Sequence, residues 1–330
     1  MAAGSLLALL DDIATMLDDV SVMSTMAAKK TVGVLGDDLA LNAQQVSGVD
    51  ASRELSVVWA VTKGSLLNKV ILVPIALWLN YISAPEVFNM PWLIPALLMV
   101  GGAYLCFEGF EKLAHQFLRS AKAKENHAAQ IEHAIANPNI DLVALEKDKI
   151  KGAIRTDFIL SAEIIVIALG VLKAYPVTDG IIPPQYRLMI ALSLVAIGLT
   201  AIVYGLVAGI VKIDDLGLHL MLKKGSSIYK QVLRKIGSLL LAFAPKLMRT
   251  LTILGTAAMF LVGGSIIGHG IPTIHHFSEY LVEISAKVSM VGGVLTTISP
   301  ILVDALVGLT VGAICVAVFS LGGQLLAKKS

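Results

Sequence analysis

Positive charge is missing from most of this chain. Four segments, 1–69, 109–156, 212–249 and 323–330, hold 23 of the 26 lysines and arginines, and only Lys173, Arg187 and Lys287 lie elsewhere. Charge of either sign is scarce, at 15% of residues against ~25% in soluble domains, which argues against a large water-facing surface. The two cysteines, Cys106 and Cys315, both sit in apolar runs. Two such residues make no disulfide framework and no CxxC metal site. A net charge of +2 without a basic-aromatic patch gives no reason to expect nucleic acid as a partner. No HExxH, GxSxG, GxxxxGK[ST] or GxGxxG is found, so neither an enzyme nor a cofactor is expected. The opening MAAGSLLALLDD has no basic n-region, and acids soon break its apolar run, so it does not read as a signal peptide.

What fills the 330 residues is apolar: 56% are hydrophobic and mean hydropathy is +0.79. Sorting Lys and Arg into alternate loops is the mark of a multi-pass membrane protein, because basic loops stay cytoplasmic. The expected fold is all-α and polytopic with about six transmembrane helices. The expected spans run near Leu66–Ser83, Trp92–Phe107, Phe158–Leu172, Leu188–Val211, Ile236–Gly268 and Val288–Gly322. Both termini and the basic loops then face the cytoplasm of a bacterial inner membrane. The expected regions are a cytoplasmic amphipathic part at 1–65, two spans at 66–108 and a cytoplasmic helical hairpin at 109–156. Two more spans follow at 157–211, then a basic connection and half-helix at 212–249, and the last two spans at 250–330. Residues 4–24 have helical period, with leucines on one face and four aspartates on the other. Pro245 and Ser299-Pro300 are expected to break the two longest apolar segments.

One internal echo stands out. SAPEVFNMPWLIPALLMVGG at 83–102 resembles FAPKLMRTLTILGTAAMFLVGG at 243–264, and ILSAEIIVIALG at 159–170 resembles ILVDALVGLTVG at 301–312. The charge frame gives the Ala-Pro segments opposite directions, which suggests 3+3 inverted repeats with broken or re-entrant pieces and a site near mid-membrane. The alignment sets Glu163 opposite Asp304.

Acids inside spans are costly unless paired or hydrated, so they are functional candidates by default. Glu163 and Asp304 read either as an ion or substrate pathway or as structural pairs with Lys69, Arg155 or Arg249. Glu108 and Glu111 share a helical face with His115 at the end of the second span, as a pathway mouth or as interfacial residues. An external loop holds His269, His275, His276 and Glu279. The i,i+4 pair His275–Glu279 makes that loop a weak metal candidate. Asp11-Asp12, Asp18-Asp19, Asp37-Asp38 and Asp214-Asp215 read mainly as caps and solvated faces.

GAIRTDFILSAEI at 152–164, GDDLALNA at 36–43, GGAYLCFEGFEKLAH at 101–115 and GTAAMFLVGGSIIGHGIP at 255–272 resemble the YedI-type bacterial inner-membrane family. The resemblance covers nearly the whole chain. It implies an inner-membrane location and brings no activity, substrate or site residues. Function therefore rests on the residues. A secondary transporter or permease with proton or cation coupling is the first expectation. A non-transporting scaffold or assembly factor that docks a cytoplasmic partner is the alternative. The expected partners are the lipid bilayer and a small solute or cation, with a homo-oligomer left open.

Overall fold

A computed structural model describes residues 2–46, 53–118, 142–174, 184–223, 227–287 and 292–327. Nine helices are found among the described residues: α1 Ala2–Val46, α2 Glu54–Ile82, α3 Leu93–Leu118, α4 Leu142–Lys173, α5 Pro184–Val211, α6 Ile213–Met221, α7 Ile228–Gly270, α8 Pro272–Ala286 and α9 Gly292–Ala327. The fold is an all-α multi-pass membrane protein. Five of these helices, α2, α3, α5, α7 and α9, are long and apolar enough to cross a bilayer. The chain forms two compact units, residues 1–91 with 153–246, and residues 92–152 with 247–330.

Unit 1 is built on α1, α2, α5 and most of α4. At one end the Arg187 guanidinium donates to Asp19 Oδ2 at 3.2 Å, and Lys173 donates to Asn80 at 2.9 Å. Along the helices comes an apolar core of Val20 and Met23 from α1, Leu72 and Val73 from α2, Ile165 and Leu169 from α4, and Leu192 and Val195 from α5. Beyond the core lies a polar layer in which Tyr204 of α5 reaches Asn42 of α1. The Asp19–Arg187 and Asn42–Tyr204 contacts make α1 parallel to α5, side by side over ~26 Å. This corrects the expectation of a wholly cytoplasmic region at 1–65. Residues 29–46, read from sequence as a polar Gly-containing stretch, continue the helix. Burial against α5 explains this, since Ala27, Ala40, Leu41, Ala43 and Val46 are all inaccessible.

Exposed aromatics mark the length of α2. Trp59 and Trp78 both face outward, nineteen residues or ~28 Å apart along a helix, close to a ~30 Å hydrocarbon core with interfacial tryptophans at its two surfaces.

Unit 2 is held by glycine. A β-carbon on Gly102 of α3 would stand 2.9 Å from the Gly263 carbonyl of α7, and one on Gly263 would stand 2.7 Å from the Gly102 carbonyl. On the next faces, Gly264 abuts Asp304 of α9, Gly308 abuts Phe260, and Gly312 abuts Cys106. Three backbones thus meet without intervening side chains, as small residues permit in membrane bundles. The two Val-Gly-Gly runs of the internal echo meet each other in this unit. Their Ala-Pro pairs differ, since Pro85 lies in the turn before α3 while Pro245 lies inside α7.

Neither expected helix break is seen, as α7 is continuous through Pro245 and α9 through Pro300. The expected loop at 269–287 is mostly helix α8. Its start is set by an extended Ile271 followed by Pro272 in the first turn, where a missing N–H costs nothing.

Candidate functional site

The polar layer of unit 1 centres on Asp157, one residue before the span expected from sequence. Ser65, Asn68 and Lys69 come from one face of α2, Asp157 and Ser161 from one face of α4, and Tyr204 from α5. All six are buried. The Asp157 carboxylate has four donors around it: Ser65 and Tyr204 at Oδ1, 2.8 and 2.9 Å, and Asn68 and Ser161 at Oδ2, 2.9 and 3.3 Å. Four is the capacity of an ionised carboxylate. The Lys69 ammonium donates to Ser65 and Ser161, each at 2.8 Å, and lies 3.8 Å from Asp157 Oδ1. Lys69 is ten residues from Trp59 and nine from Trp78, about 15 and 14 Å along the helix. A buried charge pair thus sits midway between the two aromatic levels.

Carboxylates continue from there along α1 and α4. Asp38 is buried, accepts from Asn42 Nδ2 at 3.1 Å, and lies within electrostatic reach of Asp157 and Lys69. Glu163, ~9 Å further along α4 than Asp157, faces Asp37 and Asp38 of α1. Its buried Oε2 has no hydrogen-bond partner among the described residues. Beyond Asp37, α1 turns an exposed stripe outward through Lys29, Thr25, Ser21 and Asp18. Polar groups therefore run nearly the length of α1, from Asn42 back to Asp18.

Unit 2 has its own polar cleft, of about 470 Å³, lined by His269, His275, Glu279, Glu283 and Asp304 among others. Helix α8 presents His275 and His276 to opposite oxygens of Glu279, each at 3.4 Å. The His269 and His275 rings lie 5.3 Å apart. Asp304 faces Ser265 and His269 of α7. Asp304 and the histidines, taken from sequence as separate candidates, thus share one cleft. No group of three or more such side chains among the described residues has the geometry of a metal site.

The remaining expectations fare unevenly. Glu163 and Asp304 fall in different units. Lys69 is paired, but to Asp157 rather than Glu163, because Ser65, Asn68 and Lys69 face Asp157 across α2 and α4. Arg155 and Arg249 point outward, so neither serves either acid. Glu108 is bound by Lys112 one turn on, at 2.9 Å, and Glu111 is exposed. The side chain of His115 and the middle of the 109–156 hairpin lie outside the described residues.

Asp157, Ser161, Tyr204 and Asn42 were missed. The available signal was a polar i,i+4 pair at the start of each of two spans, Ser65–Lys69 and Asp157–Ser161, which span boundaries drawn on hydropathy divide.

Neither the curated proteins nor the solved structures give a match to this chain. A family model does match, over residues 4–318, under the description "Protein of unknown function (DUF808)". A match over nearly the whole length shows that the chain belongs to the DUF808 family.

Proposed function

We propose that the protein is a secondary transporter or permease whose ion-handling element is the polar interior of unit 1. The observation that carries this reading is the Asp157–Lys69 pair, buried midway along membrane-spanning helices, with Asp38 and Glu163 continuing from it. Ionisable groups at that depth are expensive, and ion and substrate pathways are their usual setting. The exposed Asp18–Lys29 stripe supports the same reading, because lipid tails offer hydroxyls and ammonium groups no partners.

In this reading seven helices cross the membrane: α1, α2, α3, α4, α5, α7 and α9. The basic loops remain inside, and so does the carboxyl terminus. The amino terminus lies outside, since α1 runs parallel to α5. This replaces the six-span arrangement with both termini cytoplasmic. A bacterial inner membrane remains the proposed location.

The test is reconstitution into proteoliposomes carrying an entrapped pH-sensitive dye, challenged with monovalent and divalent cations and small organic ions. Wild type is expected to couple movement of one of them to a pH or cation gradient, and Asp157→Asn and Glu163→Gln to abolish it. Flux unchanged in both variants would remove these acids from the mechanism.

The close glycine packing of unit 2 favours a second reading, a rigid scaffold that docks a cytoplasmic partner. In that case deleting residues 119–141 abolishes cellular function, while both acid-to-amide variants are silent.

A further inference from the structure

Two contacts in the unit 1 network compete for one hydrogen. The Tyr204 hydroxyl lies 2.9 Å from Asp157 Oδ1 and 2.9 Å from Asn42 Oδ1. Both are acceptors, and a phenol has a single proton to give. Ser65 and Ser161 do not help, since each directs its hydrogen at Asp157 and accepts from Lys69. Turning the Asn42 amide over would bring its nitrogen to Tyr204. Its oxygen would then stand 2.8 Å from the Asp38 carbonyl and 3.1 Å from Asp38 Oδ1, exchanging one unfilled contact for two. With Asp157 ionised, the set is one hydrogen short.

We propose that Asp157 is a reversible proton-binding site, and that the proton is the coupling ion of the transport reading on which this inference rests. A proton arriving from water forms an O–H bond at Asp157 Oδ1, and the carboxylate becomes a neutral carboxyl. That new hydrogen is donated to the Tyr204 oxygen, and the Tyr204 hydroxyl rotates to donate to Asn42 Oδ1. On release the proton returns to water and Tyr204 donates to Asp157 again. Only hydrogens move, and both states keep every heavy atom in place.

A metal cation fits the same position poorly. The four acceptor positions of Asp157 already hold donors, and the Lys69 ammonium stands 3.8 Å away. The groups facing Asp157 are Lys69 from α2, Asp38 from α1 with Asp37 behind it, and Tyr204 from α5. Glu163 follows on α4 itself, where its partnerless buried oxygen is the next acceptor along the helix. The charge on each of these sets how readily Asp157 exchanges its proton.

The test is infrared difference spectroscopy of the purified full chain in lipid nanodiscs, titrated over the pH range in which it stays folded. A protonated-carboxyl C=O band is expected to grow on acidification and to be absent in Asp157→Asn. It should persist in Glu163→Gln. Asn42→Leu removes the acceptor that rewards the protonated state, so it is expected to weaken proton binding about tenfold, moving the midpoint about one pH unit lower. If Asp157→Asn does not fold, Asn42→Leu decides alone. A band that survives Asp157→Asn, or a midpoint unmoved by Asn42→Leu, overturns the proposal and leaves a shared, fixed hydrogen bond. A titrating band without flux in proteoliposomes keeps the proton site and rejects transport. Flux driven by a metal cation, with no such band, does the reverse.

Discussion

Removing one partner of the Lys69–Asp157 pair tests the energetic account of unit 1 directly. At 3.8 Å and an effective dielectric of ~20, two unit charges attract by about 4 kcal/mol. Lys69→Met removes that attraction and leaves Asp157 with its four donors but no counter-charge. Breaking a buried pair in this way costs about 3–5 kcal/mol. Asp157→Asn does the converse, leaving the ammonium with only Ser65 and Ser161. The double variant removes both charges, so its cost falls below the sum of the single losses, with a coupling energy of about 2–3 kcal/mol. The measurement is reversible unfolding of the four proteins by SDS in mixed micelles, followed by circular dichroism. Single losses that add to within about 0.5 kcal/mol would refute the pairing.

Three further outcomes follow from the geometry. A β-carbon on Gly263 would come 2.6 Å from Cys106 Sγ, whereas one on Gly268 of the same helix meets nothing closer than 3.5 Å. Gly263→Ala is therefore expected to be about 1–3 kcal/mol less stable than Gly268→Ala, with their shared helix-propensity gain cancelling, and equal stabilities would discount the glycine contact. Arg187→Met should cost about 1.5–3 kcal/mol and couple to Asp19→Asn in a thermodynamic cycle; an uncoupled result would argue that α1 does not run beside α5. Cys106 is fully buried and Cys315 partly accessible, so a small maleimide should label Cys315 first and Cys106 only on unfolding, as mass spectrometry would report.

The fold class was legible because it depends on composition and on where lysine and arginine stand. Five helices pass a test of length and apolarity, and those signals are local. What was not legible depends on partners distant in sequence. Helix α1 carries Asp19, Lys29, Asp37 and Asp38, so no apolarity scan would choose it, yet α5 buries one of its faces. Asp157 was excluded by a span boundary drawn at Phe158, where hydropathy rises. Glu163 was legible as a lone acid in an apolar run, but its neighbours on α1 were not. The Val-Gly-Gly echo was real as a pattern. Its physical meaning lay in two backbones meeting, which sequence similarity does not convey.

The position of α1 also bears on how the chain enters the membrane during synthesis. Each Asp or Lys at the centre of an inserting helix costs about 2.5–3.5 kcal/mol, and residues 19–46 include Asp19, Lys29, Lys30, Asp37 and Asp38. No lone segment of that kind partitions into lipid. The surface that receives it, α5, is completed only at Val211, so α1 has to remain outside the bilayer until more than 160 further residues have been made. Chains truncated before Pro184 should therefore leave a reporter cysteine at position 18 accessible from the cytoplasmic side, and chains extending past Val211 should protect it. Equal accessibility in both would mean that α1 inserts early with another partner. The least hydrophobic crossing helix of this protein is then the first made and among the last to be installed.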